Sequence, residues 1–277
     1  MKKVYLGNRQ LTTLATREEG GGGNDELAKS LIDRSITSVV IPNGVTKIGN
    51  GAFAYYSGLT SVTIPDIVTS IGDYAFFHCK ELTAIRIPWA VKTIGSSAFQ
   101  GCAGLTSVDI YDGLDGIRTI SKGMFSYCSS LSSITIPSGV ESIDDNAFEG
   151  CSSLTSITIP SMVTSIGIYA FHSCSSLADV TIPSMVTSIG RYAFYWCSSL
   201  ADVTIPSMVT SIGRYAFNGC SSLADVTIES TTKLTYNQGA FANIASYAVL
   251  RVPPELVSEY QNDSNWSSAF GGGIVAI

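Results

Sequence analysis

Apolar residues recur along this chain with a period of 23 residues, and each period repeats the same order of segments. A leucine opens the period, apolar and polar positions then alternate, and a proline follows, as at Leu177, Val180, Ile182 and Pro183. The alternation predicts a half-buried strand, because successive side chains of a strand point to opposite faces. The proline ends this strand, since it has no N–H to donate to a ladder.

The second half of each period has a different pattern. It reads Val-x-x-Ile-Gly and then Ala-Phe-x-x-Cys, as at residues 186–197. The glycine allows a tight corner of the backbone. Because Ala-Phe-x-x-Cys is too short for a stable isolated helix, we predict a single helical turn that places phenylalanine and cysteine in the core.

The phenylalanine of this motif marks nine periods along the chain. The step is 23 residues, except for 26 before Phe125, where residues 113–116 are inserted, and 24 before Phe241. The nine positions are Phe53, Phe76, Phe99, Phe125, Phe148, Phe171, Phe194, Phe217 and Phe241. A fixed period of this length predicts a solenoid, in which each repeat is one coil stacked on the last and all coils share one core.

The consensus resembles the BspA-type bacterial leucine-rich repeat. The similarity covers residues 35–252 and rests on ten positions of Leu-x-x-Val-x-Ile-Pro-x-x-Val-x-x-Ile-Gly-x-x-Ala-Phe-x-x-Cys, and residues 252–266 resemble the usual C-terminal cap of that family. The resemblance implies a curved solenoid with an adhesion or recognition role, and it implies no catalytic residues. We therefore predict an α/β repeat solenoid, a right-handed leucine-rich-repeat coil with a parallel β-sheet and nine 23-residue repeats.

The chain divides into four parts around this array. Residues 1–23 are an N-terminal segment that ends in a glycine-rich linker, and residues 24–34 are predicted to be an N-terminal cap with a brief helix over residues 26–32. The solenoid occupies residues 35–252, and residues 253–277 are predicted to be a C-terminal cap with a helix. Caps are expected because an open solenoid end exposes core residues and strand edges.

The N-terminal segment leaves two alternatives open. Tyr5-Leu6-Gly7-Asn8 and the glycine run after it resemble the start of some phage and prophage tail-associated proteins. This resemblance implies a docking tag for an assembly partner of residues 1–23, whereas the other alternative is a disordered leader. The first residues lack the sustained apolar region of a secretory signal, so we expect either a mature form or export by another route.

Composition and charge argue against several classes of function. The net charge is −6 and charged residues make up 14 %, whereas nucleic-acid binding needs a basic face. No apolar run approaches the length of a membrane span, so we expect no membrane insertion. The two histidines, His78 and His172, belong to the second and sixth coils and cannot share a site. We therefore predict neither an enzyme nor a cofactor.

Seven cysteines follow the motif phenylalanine by three residues each. Their single repeated role favours free, buried thiols that behave as small hydrophobic side chains. Zinc binding would need Cys-x-x-Cys spacing or a histidine in the cluster, and the sequence has neither.

Three successive coils, residues 160–182, 183–205 and 206–228, differ at only three positions. The variable sets are Ile168, Arg191 and Arg214; His172, Tyr195 and Asn218; and Ser173, Trp196 and Gly219; a constant column of Tyr169, Tyr192 and Tyr215 lies beside them. We expect these side chains to point outward and to form a ligand-binding patch, because Tyr, Trp and Arg contribute most to binding at interfaces. The alternative is drift at exposed positions after a recent duplication.

The outward positions of the predicted strands form a second candidate surface. Asp179, Asp202 and Asp225 are expected to lie one strand apart, so their like charges repel. A cation or a basic partner would relieve this repulsion, and the alternative is a solvated acidic stripe.

The sequence supports two functions from different classes. The first is a non-enzymatic recognition or adhesion solenoid that binds a protein or glycan on a cell surface. The second is a structural or receptor-binding accessory subunit of a phage tail or cell-envelope assembly, docked by its N-terminal segment.

Overall fold

The computed structural model describes residues 36–112 and 116–277, together with the backbone of three short strands before residue 36. Its strands, in chain order, are β1 (Val4–Leu6), β2 (Arg9–Leu11), β3 (Glu26–Leu27), β4 (Ser38–Val40), β5 (Lys47–Ile48), β6 (Ser61–Thr63), β7 (Ser70–Ile71), β8 (Ala84–Ile87), β9 (Thr93–Ile94), β10 (Ser107–Ile110), β11 (Thr119–Ile120), β12 (Ser142–Ile143), β13 (Ser156–Thr158), β14 (Ser165–Ile166), β15 (Asp179–Thr181), β16 (Ser188–Ile189), β17 (Asp202–Ile205), β18 (Ser211–Ile212), β19 (Asp225–Ile228), β20 (Val249–Val252) and β21 (Gly273–Ala276).

These strands form two parallel series that run along the stack of coils. The main series consists of the longer strands β4, β6, β8, β10, β13, β15, β17, β19, β20 and β21, and the minor series consists of the two-residue strands β3, β5, β7, β9, β11, β12, β14, β16 and β18. Paired strands of successive repeats are in register, so that Asp202 faces Asp225 and Ile189 faces Ile212. The predicted repeat solenoid with parallel strands is confirmed. It has about ten turns rather than nine, because β21 extends the main series beyond the last repeat.

The core is a column of stacked rings inside this double series of strands. All nine motif phenylalanines are buried, and neighbouring rings lie 5.1–5.7 Å apart with their planes within 18° of parallel. Buried leucine, valine and isoleucine side chains of the strands and of the segments beside them belong to the same hydrophobic cluster as this column. Because each ring packs between the rings before and after it, one coil depends on its neighbours for burial.

The seven cysteines are free and buried, as predicted. Each thiol donates to the carbonyl of the phenylalanine one coil earlier, for example Cys174 Sγ to Phe148 O at 3.1 Å. Burial raises the pKa of the thiols of Cys151 and Cys220 to about 12. These thiols are therefore protonated at neutral pH and serve as hydrogen-bond donors between coils.

The segment that contains Ala-Phe-x-x-Cys is a succession of turns and not the helical turn that the sequence predicted. In residues 74–79, every second N–H donates to the carbonyl three residues earlier in its own coil. The N–H groups between them donate to the next coil, for example Phe76 N to Ala98 O at 2.7 Å. The helical prediction is wrong because a helix directs every N–H back along its own chain, which would leave adjacent coils without these bonds.

The C-terminal residues close one end of the core. After a 3₁₀ turn at Pro254–Leu256, helices α1 (Val257–Gln261) and α2 (Ser264–Ser267) lead into β21. The ring centroids of Trp266 and Phe270 lie 5.8 and 5.3 Å from that of Phe241, the last member of the column. The aromatic side chains of this segment thus cover the last phenylalanine ring, as the ring of a further coil would.

The N-terminal strands lie at the opposite end. β1 and β2 form an antiparallel hairpin, and β1 lies beside β4. Glu26–Leu27 pairs with β5, so the predicted helix is wrong at its first two residues, because the open edge of β5 offers backbone partners that a short free helix lacks. Residues 28–32 of that prediction, and residues 1–23 outside the hairpin strands, lie outside the described residues.

In the part of the chain that the structure describes, no helix has the length and apolar character needed to span a membrane.

Candidate recognition surface

The outer side of the turn segments carries three columns of side chains, and we call it the turn face. The first column lies two residues before the motif phenylalanine, the second directly after it, and the third two residues after it. In coil order, the first column is Gly51, Tyr74, Ser97, Gly123, Asn146, Tyr169, Tyr192, Tyr215 and Gly239; the second is Ala54, Phe77, Gln100, Ser126, Glu149, His172, Tyr195, Asn218 and Ala242; and the third is Tyr55, His78, Gly101, Tyr127, Gly150, Ser173, Trp196, Gly219 and Asn243.

Every residue of the first and third columns has a left-handed backbone, with φ between 55° and 79°. In these segments, successive N–H groups donate in turn to a carbonyl of their own coil and to a carbonyl of the next coil, and the left-handed residues are part of this pattern. Glycine and asparagine adopt it most readily, whereas a bulky side chain is disfavoured there. Tyr192 and Trp196 nevertheless hold it, at φ values of 58° and 60°.

Coils six to eight bring aromatic side chains together on the turn face. The ring of Tyr192 stacks on Tyr169 at 4.7 Å and on Tyr215 at 5.2 Å. Tyr192 also meets Tyr195 edge to face at 5.2 Å, and Trp196 lies 6.2 Å from Tyr195. With His172, which stacks on Tyr195 at 5.4 Å, these residues form a continuous surface that we call the aromatic patch.

Two arginines lie at one edge of the aromatic patch. The guanidinium carbons of Arg191 and Arg214 lie 5.1 and 4.9 Å from the ring centroids of Tyr192 and Tyr215. Both arginines are exposed, and neither forms an ion pair with any residue that the structure describes. Arg214 Nη2 also donates to Tyr215 Oη at 3.3 Å. Stacking on tyrosine therefore holds two charged groups that have no carboxylate partner among the described residues.

Glu149 borders the other end of the aromatic patch, and sequence reasoning missed it. Its carboxylate accepts hydrogen bonds from Asn146 Nδ2 at 2.7 Å and Tyr127 Oη at 2.8 Å, and His172 Nδ1 lies 3.3 Å away. The hydrogen bond from His172 is the main cause that lowers the pKa of Glu149. Glu149 occupies the same column as His172, so a comparison of all coils, rather than of three, would have found it.

Asn218 does not belong to the aromatic patch, contrary to the sequence prediction. Its side chain is buried, with 7 % exposed, and its Oδ1 accepts from Asn243 Nδ2 at 3.4 Å. The outward orientation was expected because the repeat geometry is uniform, but the next coil covers this short side chain. Of the other variable residues, four are exposed and four are half-buried. The exposed ones are Ile168, Arg191, Trp196 and Arg214, and the half-buried ones are His172, Ser173, Tyr195 and Gly219.

Rings of the third column lie along the stack, against the glycine of the next coil. A Cβ at Gly219 would lie 2.9 Å from Trp196 Cδ1 and 3.1 Å from its Nε1, closer than such atoms pack. The aromatic–glycine pairs are His78 with Gly101, Tyr127 with Gly150, and Trp196 with Gly219. Each glycine therefore makes room for the ring before it.

A second group of aromatic side chains lies on the same face in the first two coils, and sequence reasoning did not single it out. Tyr55 stacks on His78 at 5.7 Å, and Phe77 meets His78 edge to face at 4.3 Å. Both groups come from the same columns of the repeat. Aligning all coils by their phenylalanine would therefore have identified the second group from the sequence.

The acidic column lies on the main strands, away from the turn segments. Asp179, Asp202 and Asp225 follow one another in β15, β17 and β19, as the register predicts. Arg251 Nε donates to both carboxylate oxygens of Asp225 at 3.0 Å, so the chain itself relieves part of the repulsion. Among the residues that the structure describes, no group of three or more His, Cys, Asp or Glu could hold a metal ion.

Solved structures with the same architecture come from several bacteria. A leucine-rich repeat protein from Eubacterium ventriosum is 32 % identical over 58 % of this chain and 42 % of its own, with a TM-score of 0.53. One from Bacteroides ovatus is 26 % identical over 88 % of this chain and 67 % of its own, with a TM-score of 0.59. This chain thus spans less than half the length of the Eubacterium protein.

The pneumococcal vaccine antigen PcpA shares the fold, at 20 % identity over 88 % of this chain and 68 % of its own, with a TM-score of 0.56. No curated protein matches the chain. The family model of the BspA type leucine rich repeat region matches residues 29–155 and 141–262, in six copies. As the sequence resemblance predicted, the chain belongs to the BspA-type leucine-rich repeat family.

Proposed function

We propose that this solenoid is a non-enzymatic recognition module that binds a protein or glycan on a cell surface through the aromatic patch and the two arginines beside it. Membership in a repeat family of bacterial surface proteins supports a binding or adhesion role. The repeats supply a rigid frame, and the variable columns of the turn face supply the contacts.

One observation carries this proposal: aromatic side chains occupy backbone positions that disfavour them. Tyr192 and Trp196 have left-handed φ values, at a cost of roughly 1–2 kcal/mol each. The core does not require these rings, since Asn146 and Asn243 hold the same backbone conformation in other coils. Aromatic side chains that occupy costly backbone positions and are not needed by the core support a role in binding.

The packing of the aromatic patch also suits binding. Its rings are fixed by stacking and edge-to-face contacts at 4.7–5.4 Å. A side chain that is already ordered loses less conformational entropy when a ligand binds. The aromatic patch therefore offers large contact area at a low entropic cost.

Trp196→Asn is the variant that tests the proposal. Asn suits a left-handed position, so we expect the unfolding free energy to change by no more than about 1 kcal/mol. Binding to an array of purified extracellular proteins and glycans is expected to fall at least tenfold at the strongest positions. Trp89→Asn is the matched control, because Trp89 is 56 % exposed and Trp196 57 % exposed, but Trp89 follows Pro88 at the opposite corner of the coil.

The array distinguishes the outcomes. Loss of binding in Trp196→Asn with normal binding in Trp89→Asn supports the turn face as the recognition surface. Equal binding by wild type and Trp196→Asn at every position of the array would show that the assignment is wrong.

The alternative of a phage-tail or envelope assembly, docked by residues 1–23, stays a prediction. Most of those residues lie outside the described part of the chain.

A further inference from the structure

We propose that the ligand of the turn face is an acidic glycan, whose carboxylate or sulfate group binds Arg191 and Arg214 while one of its sugar rings packs on Trp196. The inference rests on the proposed function and adds the chemical class of the ligand.

Charge is segregated within the three near-identical coils. Residues 160–228 contain three acidic side chains, all on main strands, and two arginines, both on the turn segments. In the preceding coil, the Glu149 carboxylate already has His172, Tyr127 and Asn146 as partners, and Asp145 Oδ1 accepts from Ile168 N at 2.7 Å. In a chain with a net charge of −6, the turn face of these coils carries positive charge without a compensating acid.

The two arginines occupy equivalent positions in adjacent coils. Tyr192 N donates to Arg214 O at 3.1 Å, so the two turn segments are directly hydrogen-bonded. The guanidinium groups repel each other, and both are held by tyrosine rings in place of carboxylates. An anion between them would remove the repulsion and accept paired hydrogen bonds, as carboxylates and sulfates do from arginine.

Trp196 supplies a surface for the uncharged part of the ligand. One side of its indole packs against Gly219, and 57 % of the residue is exposed. The C–H groups of a sugar ring can pack on such a ring face through dispersion and through the negative charge of its π system. Tyr192 and Tyr195 connect this ring to Arg191 in an unbroken series of contacts at 5.1, 5.2 and 6.2 Å.

Free hydroxyl groups favour a saccharide over an acidic peptide. Tyr169 and Tyr192 make no side-chain hydrogen bond with any described residue, so their phenolic groups are available beside the arginines. Each can both donate and accept. A saccharide carries hydroxyl groups on every ring, and these can exchange hydrogen bonds with the two phenolic groups. An acidic peptide offers mainly carboxylates, which only accept.

Polymers that share one backbone provide the test. We would measure binding of the full chain to immobilised dextran, carboxymethyl dextran and dextran sulfate, with poly-glutamate as the peptide polyanion. We expect binding to at least one charged dextran, weaker binding as salt increases, and no binding to neutral dextran. The carboxymethyl and sulfate polymers distinguish which anion is preferred.

The variants identify the site. Arg191→Gln with Arg214→Gln should lower the affinity for the charged dextran by about 100-fold, at about tenfold for each charge-assisted contact. Arg86→Gln is the matched control, because Arg86 is an exposed arginine that pairs with Asp66 at 2.8 Å on the main-strand side. Trp196→Asn should reduce binding of charged dextran but not of poly-glutamate.

Three results would overturn the inference: equal affinity for poly-glutamate and the charged dextrans, equal losses in Arg86→Gln and in the double variant, or no binding to either charged dextran. Failure here is separable from failure of the proposed function. If the array still shows hits that require Trp196, the turn face binds a ligand of another class.

Discussion

Individual residues of the turn face depend on their neighbours in the next coil. Gly219 has a left-handed backbone at φ 79°, and it lies under the ring of Trp196. Two separate requirements, backbone conformation and space, therefore fall on one residue. The same pairing recurs at Tyr127 with Gly150, so it is a property of the repeat and not of one coil.

We predict that Gly219→Ala destabilises the fold more when Trp196 is present than when it is replaced. Alanine at position 219 strains the backbone by about 1–2 kcal/mol whether residue 196 is Trp or Asn. Its clash with the indole occurs only when Trp196 is present. Chemical denaturation of Gly219→Ala, Trp196→Asn and the double variant measures the coupling, which we expect to be about 1 kcal/mol.

Gly58→Ala is the control for this cycle, because a Cβ at Gly58 would have no atom within 4 Å. Its effect should stay within about 0.5 kcal/mol. Equal costs of Gly219→Ala in the two backgrounds would refute the pairing of ring and glycine.

At the scale of the element, the turn segments are joined by hydrogen bonds that include thiols. Each cysteine donates to a phenylalanine carbonyl of the preceding coil at 3.1–3.2 Å. These hydrogen bonds lie next to the stacked rings. A single motif therefore supplies the phenylalanine that packs in the core and the thiol that donates to a buried backbone carbonyl. This explains why Ala-Phe-x-x-Cys recurs as a unit.

We predict that the buried thiols make stability fall at alkaline pH. The pKa of Cys151 and Cys220 is about 12 in the folded chain and 9.0 ordinarily, so their contribution is present below pH 9 and is lost as the pH rises towards 12. Replacing both with alanine should make the decline in unfolding free energy between pH 9 and 11 shallower, by up to about 1.4 kcal/mol per pH unit for each thiol.

Urea unfolding at a series of pH values measures this slope. Val140→Ala, a buried substitution that keeps both thiols, should lower stability without changing the slope. A slope that is the same in wild type and in the Cys151→Ala/Cys220→Ala variant would contradict the prediction.

At the scale of the whole molecule, stability is the sum of contacts between adjacent coils, and the ends need separate closure. Trp266 is 1 % exposed and lies between Tyr236, Tyr260 and Phe241, with ring centroids 4.8–5.8 Å away. It covers the last ring of the phenylalanine column. Loss of this cover should act locally, since distant coils do not contact it.

We predict that Trp266→Ala loosens the C-terminal coils before the others. Truncation of a buried tryptophan costs about 3–5 kcal/mol, and in a linear array that loss falls on the nearest repeats. Hydrogen exchange followed by mass spectrometry should show faster exchange in residues 217–277 and unchanged exchange in residues 38–110. Uniformly faster exchange along the chain would mean that the solenoid unfolds as one unit.

Sequence alone predicted the coil, its register and the buried cysteines, because all of these follow from side chains that recur at fixed offsets. The prediction failed where the side-chain pattern does not determine the hydrogen-bond partners of the backbone. The helical turn predicted around Phe76 is a succession of turns hydrogen-bonded to the next coil, and the helix predicted from Glu26 starts as a strand. In both places a partner in the adjacent coil decides which hydrogen bonds form.

The amino-acid sequence determined that this protein is a stack of equivalent coils, since apolar periodicity by itself specifies which side chains share a core. Only the tertiary structure decided which side chains of the turn face act together. Stacking brings Glu149 to His172, turns Asn218 inward and leaves Arg191 without an acidic partner among the described residues. These contacts lie between coils, where the neighbour 23 residues away sets each environment.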